Sequence, residues 1–260
     1  MEYISLGKTN LLVSRTSFGA MSLDCKEIED FGEEAEEKAC ALVYQAYKEG
    51  INFFDLSHTK ENCEKRLGRI VHGIRQSVVL ATKSTAQSVQ ELRRDLQESL
   101  LNLDTDSIEL YQLENPLFLP GPDTPDGLYN ELLSMKERGL IRHIGLATEN
   151  IEIAREAVES GNYEVVQFPF NVLYPQEYVD LVKLCAEKEI GCIAMQPMNG
   201  GLLSNLPIAL GYLSQFENVV PVWGVHTQEE LQQILYFTAN PPVIDDQFNK
   251  EVEKIRLFFN

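Results

Sequence analysis

A carboxylate, an ammonium and a second carboxylate stand near the ends of three strand-like runs. They are Asp55 in INFFDLS (51–57), Lys83 closing SVVLATK (77–83) and Glu114 in SIELYQLEN (107–115). Gln167 in VVQFPF (165–170) and the glycines of PMNGG (197–201) hold the corresponding place in two later runs. Carboxylates and an ammonium can hand on a proton, provided the fold brings them together. Charges gathered in this way are costly to desolvate unless paired, so their convergence would mark a functional site. A structural ion-pair network plugging the same place is the other reading these residues allow.

What must position them is a repeating pattern. The hairpin-like MEYISLGKTNLLVSR leads into a strand near TSFGAM. With HIGLA (143–147), GCIAMQP (191–197) and VVPVWGV (219–225), the strand-like runs then number eight. Amphipathic segments lie between them. Ser88 and Glu91 form a capping box before the Val89, Leu92, Leu96, Leu100 stripe, and Gly139 closes a helix that starts near Pro125. Short apolar strands alternating with helices imply a parallel sheet buried on both faces. Eight such units in 260 residues predict an α/β chain folded as a closed (β/α)8 TIM barrel with an N-terminal β-hairpin. An open doubly wound sheet is the rival, but no G-x-G-x-x-G follows the first strand. No Pro-, Gly- or Ser-rich linker interrupts the chain, so residues 1–260 are expected to form a single domain. In a barrel, the C-terminal ends of the strands converge on one mouth.

The net charge of -18 argues against nucleic acid or an anionic membrane as partner, because both would be repelled. Part of the acid lies in KEIEDFGEEAEEK (26–38), expected to be a solvated loop and an acidic first helical turn. No apolar run approaches the ~18 residues needed to span a bilayer, and MEYISLGKTN lacks a signal-peptide pattern, so a cytoplasmic location is expected. Cys25, Cys40, Cys63, Cys185 and Cys192 show no C-x-x-C spacing. Neither a disulfide framework nor a metal site is expected, and most should be buried thiols. Nothing in the sequence sets an oligomeric state.

Several segments, taken in order, resemble the aldo/keto reductase superfamily over essentially the whole chain. They are YISLGKTNLLVSRTSFGAMSL, KEGINFFDLS, VVLATK, LRRDLQESLLNLDTDSIELYQLENP, KERGLIRHIGLAT and EVVQFPFNVL. The resemblance implies NADP(H) or NAD(H) bound at the barrel mouth without a Rossmann domain, and hydride transfer to a small carbonyl-type substrate. It also implies an Asp, Tyr, Lys, His tetrad in which the tyrosine donates the proton. Asp55 and Lys83 match the family's pattern, but the tyrosine place holds Lys60 and the histidine place Glu114. Glu64, Leu67 and Gly68 anchor this register, and no tyrosine lies between Tyr47 and Tyr111 to restore the motif by a slip.

Three outcomes are open at this point. Lys60 and Glu114 could serve as altered proton-handling partners, tuned by burial and, for Lys60, by the like charge of Lys83. His58 on the same loop could take over proton transfer. Or Lys60–Glu114 and Lys83–Asp55 ion pairs could replace the catalytic network, leaving an inactive nucleotide-binding or interaction protein.

On the cofactor side the resemblance assigns Thr148, Gln167, Gly200, Gly201, Gly224, His226 and Thr227. Thr148 and Gln167 would face the carboxamide, the glycines the pyrophosphate, and GVHTQEELQQ (224–233) the adenosine end. His226 stands where arginine or lysine is common, and Gln233-Ile234 where Glu-Asn is frequent, so weak binding and a faded preference for NADPH are expected. VVPVWGVHTQEEL and PMNGG also resemble a bacterial and archaeal subset that carries a C-terminal ferredoxin-like extension. These residues contain no such cysteines, and iron–sulfur chemistry is not expected within them. The family's long C-terminal substrate loop is missing too, which implies a shallow, open mouth.

Overall fold

A computed structural model of the chain describes residues 1–24 and 33–259. Cys25 and the first part of the acidic stretch, residues 26–32, lie outside the described residues. Strands β1 (Tyr3–Ser5) and β2 (Leu12–Ser14) pair antiparallel, Tyr3 opposite Ser14, as the predicted hairpin. Eight parallel strands follow: β3 (Ser17–Gly19), β4 (Phe53–Asp55), β5 (Val79–Ser84), β6 (Ile108–Glu114), β7 (Ile141–Ala147), β8 (Val165–Pro169), β9 (Gly191–Met195) and β10 (Val219–Gly224). They neighbour one another in sequence order, and β10 pairs with β3 to close the barrel.

The outer layer holds α1 (Glu33–Lys48), α2 (Glu61–Val71), α3 (Val89–Asn102), α4 (Leu128–Glu137), α5 (Ile151–Ser160), α6 (Gln176–Glu187), α7 (Leu206–Ser214), α8 (Gln228–Ala239) and α9 (Asp246–Phe259). Ser88 Oγ accepts from the Glu91 N–H at the start of α3, as expected. The return bond differs from a reciprocal box: Glu91 Oε2 accepts from the N–H of Gln87 rather than that of Ser88. Gly139 ends the α4 segment in the left-handed region (φ 73°). That helix starts at Leu128, later than Pro125, because Gly127 also takes a left-handed φ of 70° and Asp126 caps the Leu128 N–H.

Alternation along the strands sets two layers inside the barrel. Phe53, Ala81, Leu110, Val165, Ile193 and Val220 form the lower one and pack against Leu6, Leu11 and Val13 of the hairpin. The hairpin thereby seals the N-terminal end, and each fully buried large apolar side chain there contributes ~1.5–3 kcal/mol. Two residues further along the same strands, the inward positions turn polar: Asp55, Lys83, Gln112 and Gln167, all nearly fully buried. Outward-facing residues such as Phe54, Tyr111, Phe168 and Trp223 join the larger core beneath the helices. Cys63, Cys185 and Cys192 are buried thiols and Cys40 is partly buried. Among the described residues, no helix is long and apolar enough to cross a membrane.

Candidate active site

At the C-terminal end of the barrel, Lys83 Nζ donates to Asp55 Oδ2 at 2.8 Å, with side-chain exposures of 3% and 4%. The ammonium also donates to the Leu56 carbonyl. A desolvated pair of this kind persists only where further hydrogen bonds complete both partners. Gln167 supplies one: its Nε2 donates to Asp55 Oδ2 (3.2 Å), while its Oε1 accepts from Gln112 Nε2 (2.7 Å). Gly145 makes room for this network. A Cβ there would lie 2.8 Å from Gln112 Cγ. Asp55 Oδ1 has no hydrogen-bond partner, a buried acceptor left open where Asp55 lines a cavity of about 420 Å³.

Lys83, Glu114, Glu149 and Gln167 line the same cavity. Glu114 is half-buried, and its Oε2 accepts from Ser57 Oγ at 2.6 Å. Glu114 is thus held by Ser57. Lys60 ends a short turn, His58–Lys60, where it is exposed and is not among the residues lining the cavity. The expected burial of Lys60 is not found.

His58 does not serve the mouth either. It lies between α2 and α3, where Nδ1 is 3.5 Å from Glu64 Oε2 and Nε2 is 3.3 Å from Glu98 Oε2 and 3.7 Å from Asp95 Oδ1. Hydrogen bonding to Glu64 raises its pKa above the ordinary histidine value, against the opposing effect of burial, with Asp95 and Glu98 adding to the rise.

A second groove, about 440 Å³, shares Gln196, Val222, Gly224 and His226 with the first and passes Gly200 and Gly201. The two glycines take left-handed φ values of 65° and 89°, and a Cβ on either would meet nothing within 4 Å. At the groove's far end, Thr227 Oγ1 accepts from the Glu230 N–H (3.1 Å) and caps α8. Glu230 Oε2 in turn accepts from the His226 N–H (2.8 Å) and lies 3.3 Å from His226 Nδ1. A carboxylate thus occupies a donor that an anion would otherwise use. Among the described residues lining the two spaces, Lys83 is the only lysine or arginine, and it is engaged by Asp55.

Of the other predicted contacts, Thr148 is not brought to the cavity wall: it is 1% exposed, and its Oγ1 accepts from the Asn150 N–H (3.1 Å). Sequence reasoning missed Gln112 and Ser57. Gln112 was within reach, since it sits two residues before Glu114 and so shares its inward face. Ser57 lies just past β4, where strand alternation gives no guide.

The sequence model described as the aldo/keto reductase family matches residues 15–208. The uncharacterized oxidoreductase YqkF of Bacillus subtilis (strain 168) is 26% identical over 291 residues, covering 98% of this chain and 89% of that protein. L-galactose dehydrogenase of Arabidopsis thaliana is 28% identical over 219 residues, covering 78% of this chain and 67% of that protein. Among solved structures, the holo form of aldo-keto reductase AKR11C1 from Bacillus halodurans superposes with a TM-score of 0.80. It is 20% identical and covers 98% of this chain and 96% of its own, a likeness of fold.

Proposed function

Because the chain belongs to the aldo/keto reductase family, we propose that it is an NAD(P)H-dependent oxidoreductase that reduces a small carbonyl compound at the barrel mouth, with NADH the better-held coenzyme. The observation that carries this reading is the continuity of the two spaces, from the Lys83–Asp55 pair past the open backbone at Gly200 and Gly201 to the start of α8. Gly200, Gly201 and Gly224 would hold the pyrophosphate, and Gln167 the carboxamide. A reduced nicotinamide coenzyme, when bound, supplies the hydride. The residues do not fit an additional 2′-phosphate, because Glu230 stands at the His226 N–H and no free cation lines the groove among the described residues.

Lys83 has three donors. Two are committed to Asp55 and Leu56, which leaves one N–H to polarise a carbonyl oxygen in the cavity and give it a proton. Glu114, fixed by Ser57, is the second group at the cavity wall able to hand on a proton. Without the family's tyrosine, turnover of ordinary aldehydes is expected to be slow.

One observation favours a second reading, a barrel that holds nucleotide without turning it over. Both ends of the Gln167 amide are already bonded inside the protein. Titration of NADH and NADPH by coenzyme fluorescence, followed by single turnover against aldehydes, ketones and enones, separates the two. Failure of both coenzymes to bind at millimolar concentration refutes both readings. Binding without oxidation by any carbonyl supports the second. Oxidation that is lost in Lys83→Met, with NADH still bound, supports the first.

A further inference from the structure

The geometry points to a divalent-metal site outside the barrel, formed by His58 with Asp95 and Glu98, that takes a first-row cation of the zinc class. It is independent of the chemistry at the mouth. His58 sits in the turn before α2, and Asp95 and Glu98 stand three residues apart on one face of α3. One ligand atom from each lies within 4.8 Å of the other two.

Zinc bonds of ~2.0–2.2 Å in tetrahedral array require donor-to-donor edges of about 3.3–3.5 Å. The Nε2 edges are 3.3 Å to Glu98 and 3.7 Å to Asp95, and with all three ligand atoms within 4.8 Å of one another a cation has to draw the set together. Glu98 is half-exposed and can move by side-chain rotation.

The surroundings are built as metal ligands require. A coordinating imidazole usually gives its other ring nitrogen to a carboxylate, which fixes its orientation. His58 Nδ1 faces Glu64 Oε2 at 3.5 Å and Ser99 Oγ at 3.3 Å, which leaves Nε2 turned toward Asp95 and Glu98. Glu64 is itself fixed by Thr82 (2.8 Å) and Asn102 (3.1 Å), and Asp95 Oδ2 accepts from Ser84 (2.6 Å).

A separate observation comes from Tyr111, which is fully buried with a hydroxyl that has no hydrogen-bond partner. It is the β6 register mate of Thr82, whose outward face also carries Ser84. Its ring therefore shares the outward face of the sheet with Thr82 and Ser84, which bond Glu64 and Asp95. Ser84, its polar neighbour, is turned to Asp95. Glu64 and Asp95 carry buried negative charge that a cation would neutralise. The competing cation is Arg94, 2.9 Å from Asp95 Oδ1, but its side chain is 62% exposed, and a pair of this kind is weak and easily displaced.

The test uses the full chain stripped with a chelator. Zn²⁺ is titrated by calorimetry, and Co²⁺ is added while the visible absorption of a low-coordinate centre is followed. We expect one equivalent of Zn²⁺, a Co²⁺ band and a rise in Tm. His58→Gln should abolish all three, and Glu98→Gln should weaken binding at least tenfold. Glu251→Gln, at an exposed pair with Lys254, should change nothing. Binding should also fall in acid, as His58 takes up its proton. Since His58→Gln leaves Glu64 buried without its histidine, Glu98→Gln, checked for native circular dichroism, is the deciding variant. No saturable Zn²⁺ binding by the parent, or unchanged binding in natively folded Glu98→Gln, overturns the site.

Discussion

Lys83→Met should destabilise the protein out of proportion to the few atoms it removes. The variant keeps the length of the side chain but leaves Asp55, 3% exposed, with Gln167 as its remaining donor and no countercharge. Breaking one side of a buried ion pair costs about 3–5 kcal/mol. For a chain of this size each kcal/mol moves Tm by roughly 2–4 °C, so a fall of about 6–20 °C is expected. Asp55→Asn should cost a comparable amount for the mirror-image reason, because it strands the ammonium. The double variant Asp55→Asn/Lys83→Met removes both charges and should recover at least half of the summed loss, since contacting residues are coupled. Thermal and urea denaturation followed by circular dichroism measure all four corners of the cycle. A Lys83→Met protein within about 2 °C of the parent, or a double variant as unstable as the two singles added together, would show that the pair is not desolvated.

His226→Arg places a guanidinium beside the acidic end of the groove. It should raise NADPH affinity about tenfold, roughly 1.4 kcal/mol, with little change for NADH and with the gain shrinking at high salt; fluorescence titration of both coenzymes checks it. Gly145→Ala drives a methyl into Gln112 and should cost about 1–3 kcal/mol in urea denaturation while weakening the hold on Gln167. Glu164 anchors the start of β8. Burial alone would raise its pKa, but hydrogen bonds from His143, Lys136 and the Ile144 N–H bring it from 4.5 to about 2. A depressed carboxyl stabilises fully above its ordinary value and loses that effect as pH falls through the folded one. Glu164→Gln should therefore cost on the order of 1–2 kcal/mol at neutral pH, allowing for solvent screening, and the difference from the parent should vanish near pH 2.

Strand alternation made part of the site legible. Once Phe53 and Ala81 are inward, Asp55 and Lys83 must be inward one layer higher, and their meeting follows from barrel closure. The same rule would have delivered Gln112. It could say nothing of residues 57 to 60, which lie beyond the strand, where side-chain direction is set by local partners. Ser57 turns to Glu114, and His58 is drawn away by Glu64, Asp95 and Glu98. Three of those partners sit on α2 and α3, and their approach depends on helix packing that no short stretch of sequence encodes. The cap at Ser88 was readable for the opposite reason, because its partners lie within a few residues of it in the chain.

The hairpin that seals the floor bears on how the molecule comes to be assembled. Leu6, Leu11 and Val13 are synthesised before any barrel strand, yet the seat they occupy is made by residues as distant as Val220. Lys8 is further tied to the Glu189 carbonyl at 2.8 Å. These contacts span most of the chain, so the loop-closure entropy is met before they give any return, and they form late. Until then the nascent barrel is open at its base, with Phe53, Leu110 and Ile193 accessible to water or to another chain. Weakening the hairpin should therefore slow the final folding phase and raise aggregation during refolding, even where the finished mouth is unchanged.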